Sequence, residues 1–171
     1  MPLTLDELNQ ETEAGWERVL GGVFEHAPWV ARAAAAGRPF SGIGAILDAM
    51  VAAVEHQGEQ AVLEILRAHP DLGARVEERA ALTQASAEEQ EKAGLFFMTE
   101  TERVRLHALN QRYRERFGFP FIICARLNSV GTILAALQRR LNREPEEERL
   151  EAWAEVKKIA RLRLQDLIRE M

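Results

Sequence analysis

Apolar positions recur at helical spacing along almost the whole chain, and the alternation that marks a half-buried strand is nowhere sustained. Thr4 and Glu7 have the spacing of a capping box and open a short first helix. Trp16, Val19 and Leu20 share one helical face until Gly21-Gly22 interrupts it. Pro28 suits the first turn of "PWVARAAAAG", where its missing N–H costs nothing, and Gly37 suits the stop. Ser41 is a candidate cap for the next helix, whose Ile43, Ile46, Leu47, Met50 and Val54 form an apolar stripe. "EQAVLEILRAH" then runs as helix to His69, where Pro70 and Asp71 stop it.

"GARVEERAALTQ" predicts a short helix, and "SAEEQEKAGL" another with Ser86 as its cap. Thr99 and Glu102 form a further capping box at the head of a long helix ending at Gly118. "FPFIICARL" suits either a short strand or a buried helical turn, and periodicity does not decide between them. Two helices close the chain, Ser129 to about Leu141 and about Pro145 to Arg169. With no internal repeat and no low-complexity linker, the expectation is one all-α domain over residues 1–171, a multi-helix bundle.

A chain of 171 residues can bury a core without disulfides or metal. An apolar share of 47% with 29% charged residues is that of a globular protein. The net charge of −5 and the lack of a dominant basic block argue against nucleic acid as a partner, and "QRYRER" and "ARLRL" read as solvated helix faces. Cys124 is the only cysteine, which excludes an intramolecular disulfide or a cysteine-based zinc site. "MPLTLDELNQ" lacks a signal-peptide pattern, "REM" is not an S-K-L type address, and no apolar run approaches the roughly 20 residues of a membrane span. The expectation is a cytoplasmic protein with no membrane partner.

The four histidines, His26, His56, His69 and His107, never pair at i, i+4, and there is no glycine-rich phosphate loop or G-x-S-x-G turn. No metal or cofactor site has support, so any chemistry must use ordinary side chains. His69 is the candidate acid or base, because imidazole titrates near neutral pH. The Pro70 ring disfavours α geometry at His69, so a helix-end histidine stabilising the dipole is the competing reading, as a helix cap is for Asp71. Ser86 and Glu89 match a capping box, yet with Gln90 they also place a hydroxyl, a carboxylate and an amide together near a helix N-terminus, where a polar or anionic ligand would be favoured. Arg163 lies in the apolar arc of Val156 and Ile159 on the last helix. A guanidinium there needs a helix-lining glutamate, an escape to solvent, or a carboxylate ligand suited to its planar fork.

Four blocks, "RAHPDL", "SAEEQEKAGL", "LNQRYRERFGFPFIICAR" and "KIARLRLQDL", stand in the order and at about the spacing of one family. With "VLGGVFEHAPWVARAA" and "RPF" upstream, the chain resembles 2-oxo-4-hydroxy-4-carboxy-5-ureidoimidazoline (OHCU) decarboxylases of urate catabolism over nearly its whole length. The resemblance implies an all-helical, cofactor-free carboxy-lyase, usually a homodimer, that turns OHCU into (S)-allantoin and carbon dioxide. It implies that His69 is the catalytic acid/base and that Pro70 adds to the substrate wall. It further implies that Ser86, Glu89 and Gln90 contact the ureidoimidazoline, with Glu89 fixing the substrate or the imidazole. Phe121, Ile122, Ile123, Cys124 and Ala125 would present backbone groups and apolar walls, and Arg163 would bind the anionic substrate. The rival is a non-enzymatic helical interaction module, which accounts for the caps and amphipathic faces but not for an arginine in an apolar arc.

Overall fold

Thr4 opens the first helix as its spacing predicts: its hydroxyl accepts the Glu7 amide at 3.2 Å, and the Glu7 carboxylate accepts the Thr4 amide at 2.8 Å. The computed structural model describes residues 1–74 and 76–169. Arg75 of the predicted short helix, and Glu170 and Met171 of the final tripeptide, lie outside the described residues.

In chain order the elements are β1 (Leu3–Thr4), α1 (Leu5–Asn9), α2 (Glu13–Leu20), α3 (Pro28–Ala34), α4 (Ile43–His56), α5 (Glu59–Ala68), α6 (Gln84–Lys92), α7 (Glu100–Phe117), α8 (Val130–Arg140), α9 (Pro145–Leu167) and β2 (Ile168–Arg169). Tight 3₁₀ turns cover Ala35–Gly37, Val76–Ala81 and Ala125–Leu127. Among the described residues the fold is all-α apart from one short parallel pairing of β1 with β2, Leu3 opposite Ile168. The described residues form two compact units, 1–68 with 156–169, and 69–155.

In the first unit, α3 packs on both α2 and α4. Its buried Val30, Ala31 and Ala34 are small enough for close approach, and the Trp16 indole N–H donates to the Ala31 carbonyl at 2.7 Å. The Ile43, Ile46, Leu47, Met50 and Val54 stripe of α4 is buried as its spacing predicts. The second unit is built on α7 and α8, with Leu106, Tyr113, Phe121, Ile133 and Leu137 in its core. Gly118 ends α7 in the left-handed conformation, which glycine adopts without steric cost.

Two predicted caps are corrected. Gly42, not Ser41, precedes α4, and no side chain caps it. Thr83, not Ser86, caps α6, accepting the Ser86 amide at 3.2 Å, so Ser86 is an interior residue of the first turn. Thr83 has the same hydroxyl chemistry three residues earlier, and taking the cap there brings Gln84 and Ala85 into the helix.

"FPFIIC" is neither helix nor strand. Its backbone finds partners on side chains: the Ile122 carbonyl accepts from Arg140 Nη1 at 2.6 Å, and the Cys124 amide donates to Glu155 Oε1 at 3.0 Å. Arg140 is itself buried in an ion network, bonded to Glu148 and 2.9 Å from Glu151, with the Tyr113 hydroxyl donating to Glu148 at 2.6 Å. Such a network is tolerable in a core because each charge meets an opposite one.

Candidate active site

Helix α5 ends at Ala68, one residue before His69, where the proline ring makes a further helical turn unfavourable. His69 is only 7% exposed and its Nε2 is buried. The residues that follow form a loop in which side chains hold four backbone groups of Asp71, Leu72 and Gly73. Gln90 Oε1 accepts the Gly73 amide at 2.9 Å, and Gln90 Nε2 donates to the Asp71 carbonyl at 3.3 Å. Asn110 Nδ2 donates to the Leu72 carbonyl at 3.2 Å, and His107 Nε2 lies 2.9 Å from the Gly73 carbonyl. Arg114 Nε holds the Asp71 carboxylate at 2.9 Å. Asp71 is thus an ion-pair partner of α7.

Gly73 makes this loop possible. Its φ is +73°, and a Cβ there would sit 2.6 Å from Leu106 Cδ2 and 2.9 Å from Met98 Cε. The loop leaving His69 is therefore fixed from both sides by α6 and α7.

Because Thr83 takes the cap, Ser86, Glu89 and Gln90 form an i, i+3, i+4 face within α6. Ser86 and Gln90 are buried and Glu89 is partly buried, whereas Glu88 and Glu91 are exposed. That face belongs to the helix that packs on the Ala125–Leu127 turn. Burial pushes the Cys124 thiol up, and the carboxylates of Glu155 and then Glu89 add to the push. A raised pKa disfavours the thiolate that a nucleophilic cysteine needs. Phe121, Ile122, Ile123, Cys124 and Ala125 are all buried. Pro70 is partly buried beside His69. The second unit thus gathers the predicted residues of the first three blocks.

Arg163 lies in the first unit, in the apolar arc with the buried Val156, Ile159 and Ala160 as its spacing predicts. It is 5% exposed. Its Nη1 donates to Glu25 Oε2 at 2.8 Å and to the Gly22 carbonyl at 3.1 Å. It pairs with a buried glutamate in the turn between α2 and α3.

Several positioning groups were not singled out from the sequence. Asn110 had a usable signal: it falls in the Leu106, Leu109, Tyr113 stripe of α7, the same anomaly that marks Arg163. Glu25 had none, because its segment has no helical period. Gln90 was expected on the ligand, and the structure gives both ends of its carboxamide to the loop. Among the described residues, no group of three or more His, Cys, Asp or Glu side chains could hold a metal ion.

The model of the OHCU decarboxylase family matches residues 9–165. The chain is 41% identical to the 2-oxo-4-hydroxy-4-carboxy-5-ureidoimidazoline decarboxylase of Halalkalicoccus jeotgali, over 96% of this chain and 92% of that protein. It is 43% identical to the mouse (Mus musculus) decarboxylase of the same name, over 88% of this chain and 84% of the relative. Its fold matches the crystal structure of an (S)-allantoin synthase with a TM-score of 0.78 at 32% identity, covering 97% of this chain and 54% of the other. The chain belongs to the OHCU decarboxylase family.

Proposed function

We propose that His69, Glu89 and Arg163 carry the reaction by which this chain, an OHCU decarboxylase, produces (S)-allantoin in urate degradation. The observation that carries the assignment is the fixed break at His69: an imidazole, the side chain best suited to acid–base work, sits at a helix end whose following loop is locked by Gln90, Asn110 and His107. A proton donor or acceptor must be held to within a few tenths of an ångström of its target, and a bonded loop provides that hold.

Loss of carbon dioxide breaks a carbon–carbon bond and leaves an electron pair that spreads into the adjacent C=N unit of the ring. The hydroxyl proton leaves as the carbonyl forms, and a proton reaches the ureido-bearing carbon on one face only. His69 is the group for that proton transfer. Glu89 orients the substrate or the imidazole, with Ser86 and Gln90 beside it on α6. Pro70 and Phe121 to Ala125 supply a wall that excludes water, and a carboxylate in a drier site gives up its charge more readily. Arg163 orients the anionic substrate through charge-assisted hydrogen bonds. In this reading residues 1–171 act as one domain without a cofactor, as a cytoplasmic homodimer. Among the described residues, no helix is long and apolar enough to cross a membrane.

The test uses OHCU freshly generated from urate. Its decay is followed by absorbance and the emerging allantoin by circular dichroism, with and without the protein. OHCU decays unaided, so the chirality of the product carries as much weight as the rate. Faster decay with an excess of the S enantiomer, lost in His69→Ala, is the expected result. Equal activity in wild type and His69→Ala would remove His69 from the chemistry.

A further inference from the structure

We infer that Glu25 is a positioning residue for the decarboxylation: it fixes and charge-compensates the Arg163 guanidinium, so that the anionic substrate meets an oriented hydrogen-bond fork in place of an isolated cation. The inference rests on the role proposed above for Arg163.

Glu25 is 1% exposed, in an irregular turn where no helical period calls for a carboxylate. An ionised carboxylate at such a position is costly unless paired, and the pair here is direct, 2.8 Å from Oε2 to Arg163 Nη1. The same nitrogen reaches the Gly22 carbonyl at 3.1 Å. With the Val23 carbonyl at 3.5 Å, one guanidinium nitrogen meets a carboxylate and two backbone carbonyls of the same turn, which restricts rotation of the planar group about its stem. The turn between α2 and α3 therefore sets the geometry in which α9 presents this group.

Compensation matters as much as orientation. A decarboxylation removes charge from the very carboxylate that an arginine would hold. An unneutralised buried cation would grip that carboxylate harder in the ground state than in the transition state, lowering KM and kcat together. A carboxylate at 2.8 Å weakens the grip while leaving the donor geometry in place. If Glu25 served folding alone, its loss would lower the melting temperature and leave both kinetic constants of the folded enzyme unchanged.

The experiment compares full-length Glu25→Gln, Glu25→Asp and Arg163→Gln with wild type by melting temperature and by steady-state kinetics on freshly generated OHCU. The expected result is a fall in kcat of about tenfold or more for Glu25→Gln with KM unchanged or lower, partly recovered in Glu25→Asp, which restores the charge. Folded Glu25→Gln with wild-type kcat, whatever its KM, overturns the inference if Arg163→Gln is impaired. Wild-type kinetics in Arg163→Gln removes the role of the arginine, and the inference with it. Should Glu25→Gln not fold, Glu25→Asp decides: reduced kcat without a raised KM supports positioning, and unchanged kcat overturns it.

Discussion

Gln90 accepts the Gly73 amide at 2.9 Å across a gap of seventeen residues, and with its other end holds the Asp71 carbonyl. The carboxamide thereby pins the loop that leaves His69. Gln90→Ala strands a buried N–H and should cost about 1–3 kcal/mol in urea unfolding, together with a fall in kcat. Equal stability and turnover would show the loop to be held without it. Gly73→Ala attacks the same loop from the backbone: the left-handed φ alone costs about 1–2 kcal/mol, and the new methyl must displace Leu106 and Met98.

The Thr83 cap separates helix stability from chemistry on α6. Thr83→Ala should cost about 1 kcal/mol and leave kcat close to wild type. Glu89→Gln should do the reverse, with stability within about 0.5 kcal/mol of wild type and a fall in kcat of about a hundredfold. Denaturant titration and initial rates on the two variants check both halves. Full activity in Glu89→Gln would leave its carboxylate without a catalytic part.

His69→Asn keeps a small polar side chain at the helix end and removes the imidazole. A favourable helix-end contact in a partly buried setting contributes up to about 2 kcal/mol, so the variant should remain folded with a modestly lowered melting temperature. The turnover number should fall by about a hundredfold or more, and the allantoin that forms should approach a racemate. Large destabilisation with activity retained would make His69 a structural residue.

Tyr113 is the only tyrosine, so its phenol can be titrated without interference. Burial, then the hydrogen bond to Glu148 and the charge of that carboxylate, push its pKa far above the ordinary value of 10.0. The folded value exceeds the unfolded one, so the stabilisation is complete below the unfolded phenol's pKa and is lost as pH rises above it. Phenolate absorbance should therefore appear only with alkaline unfolding, in a single transition. Tyr113→Phe should cost about 1.5–3 kcal/mol at neutral pH, the range for a hydrogen bond to a charged group, and should flatten the alkaline loss of stability. A phenolate signal from folded protein would contradict the buried pairing.

What the sequence determined by itself was local. The Thr4 and Thr99 capping boxes, the proline at the head of α3, the glycine stop after Phe117 and the apolar stripe of α4 all form as their spacing predicts. Each depends on residues within one or two turns of one another, where chain geometry leaves few alternatives. Even the anomaly of Arg163 was legible, since a helical wheel needs only the period. The tertiary structure decided whatever depends on a distant partner. Between Thr83 and Ser86 the sequence offers two hydroxyls for one cap, and the fold chose the first. "FPFIIC" has no regular structure because its backbone is bonded by Arg140 and Glu155, residues 18 and 31 positions away. Gln90 holds a loop, and Arg163 meets Glu25 from 138 residues off. A buried polar group must find a partner, but only the folded chain determines which one.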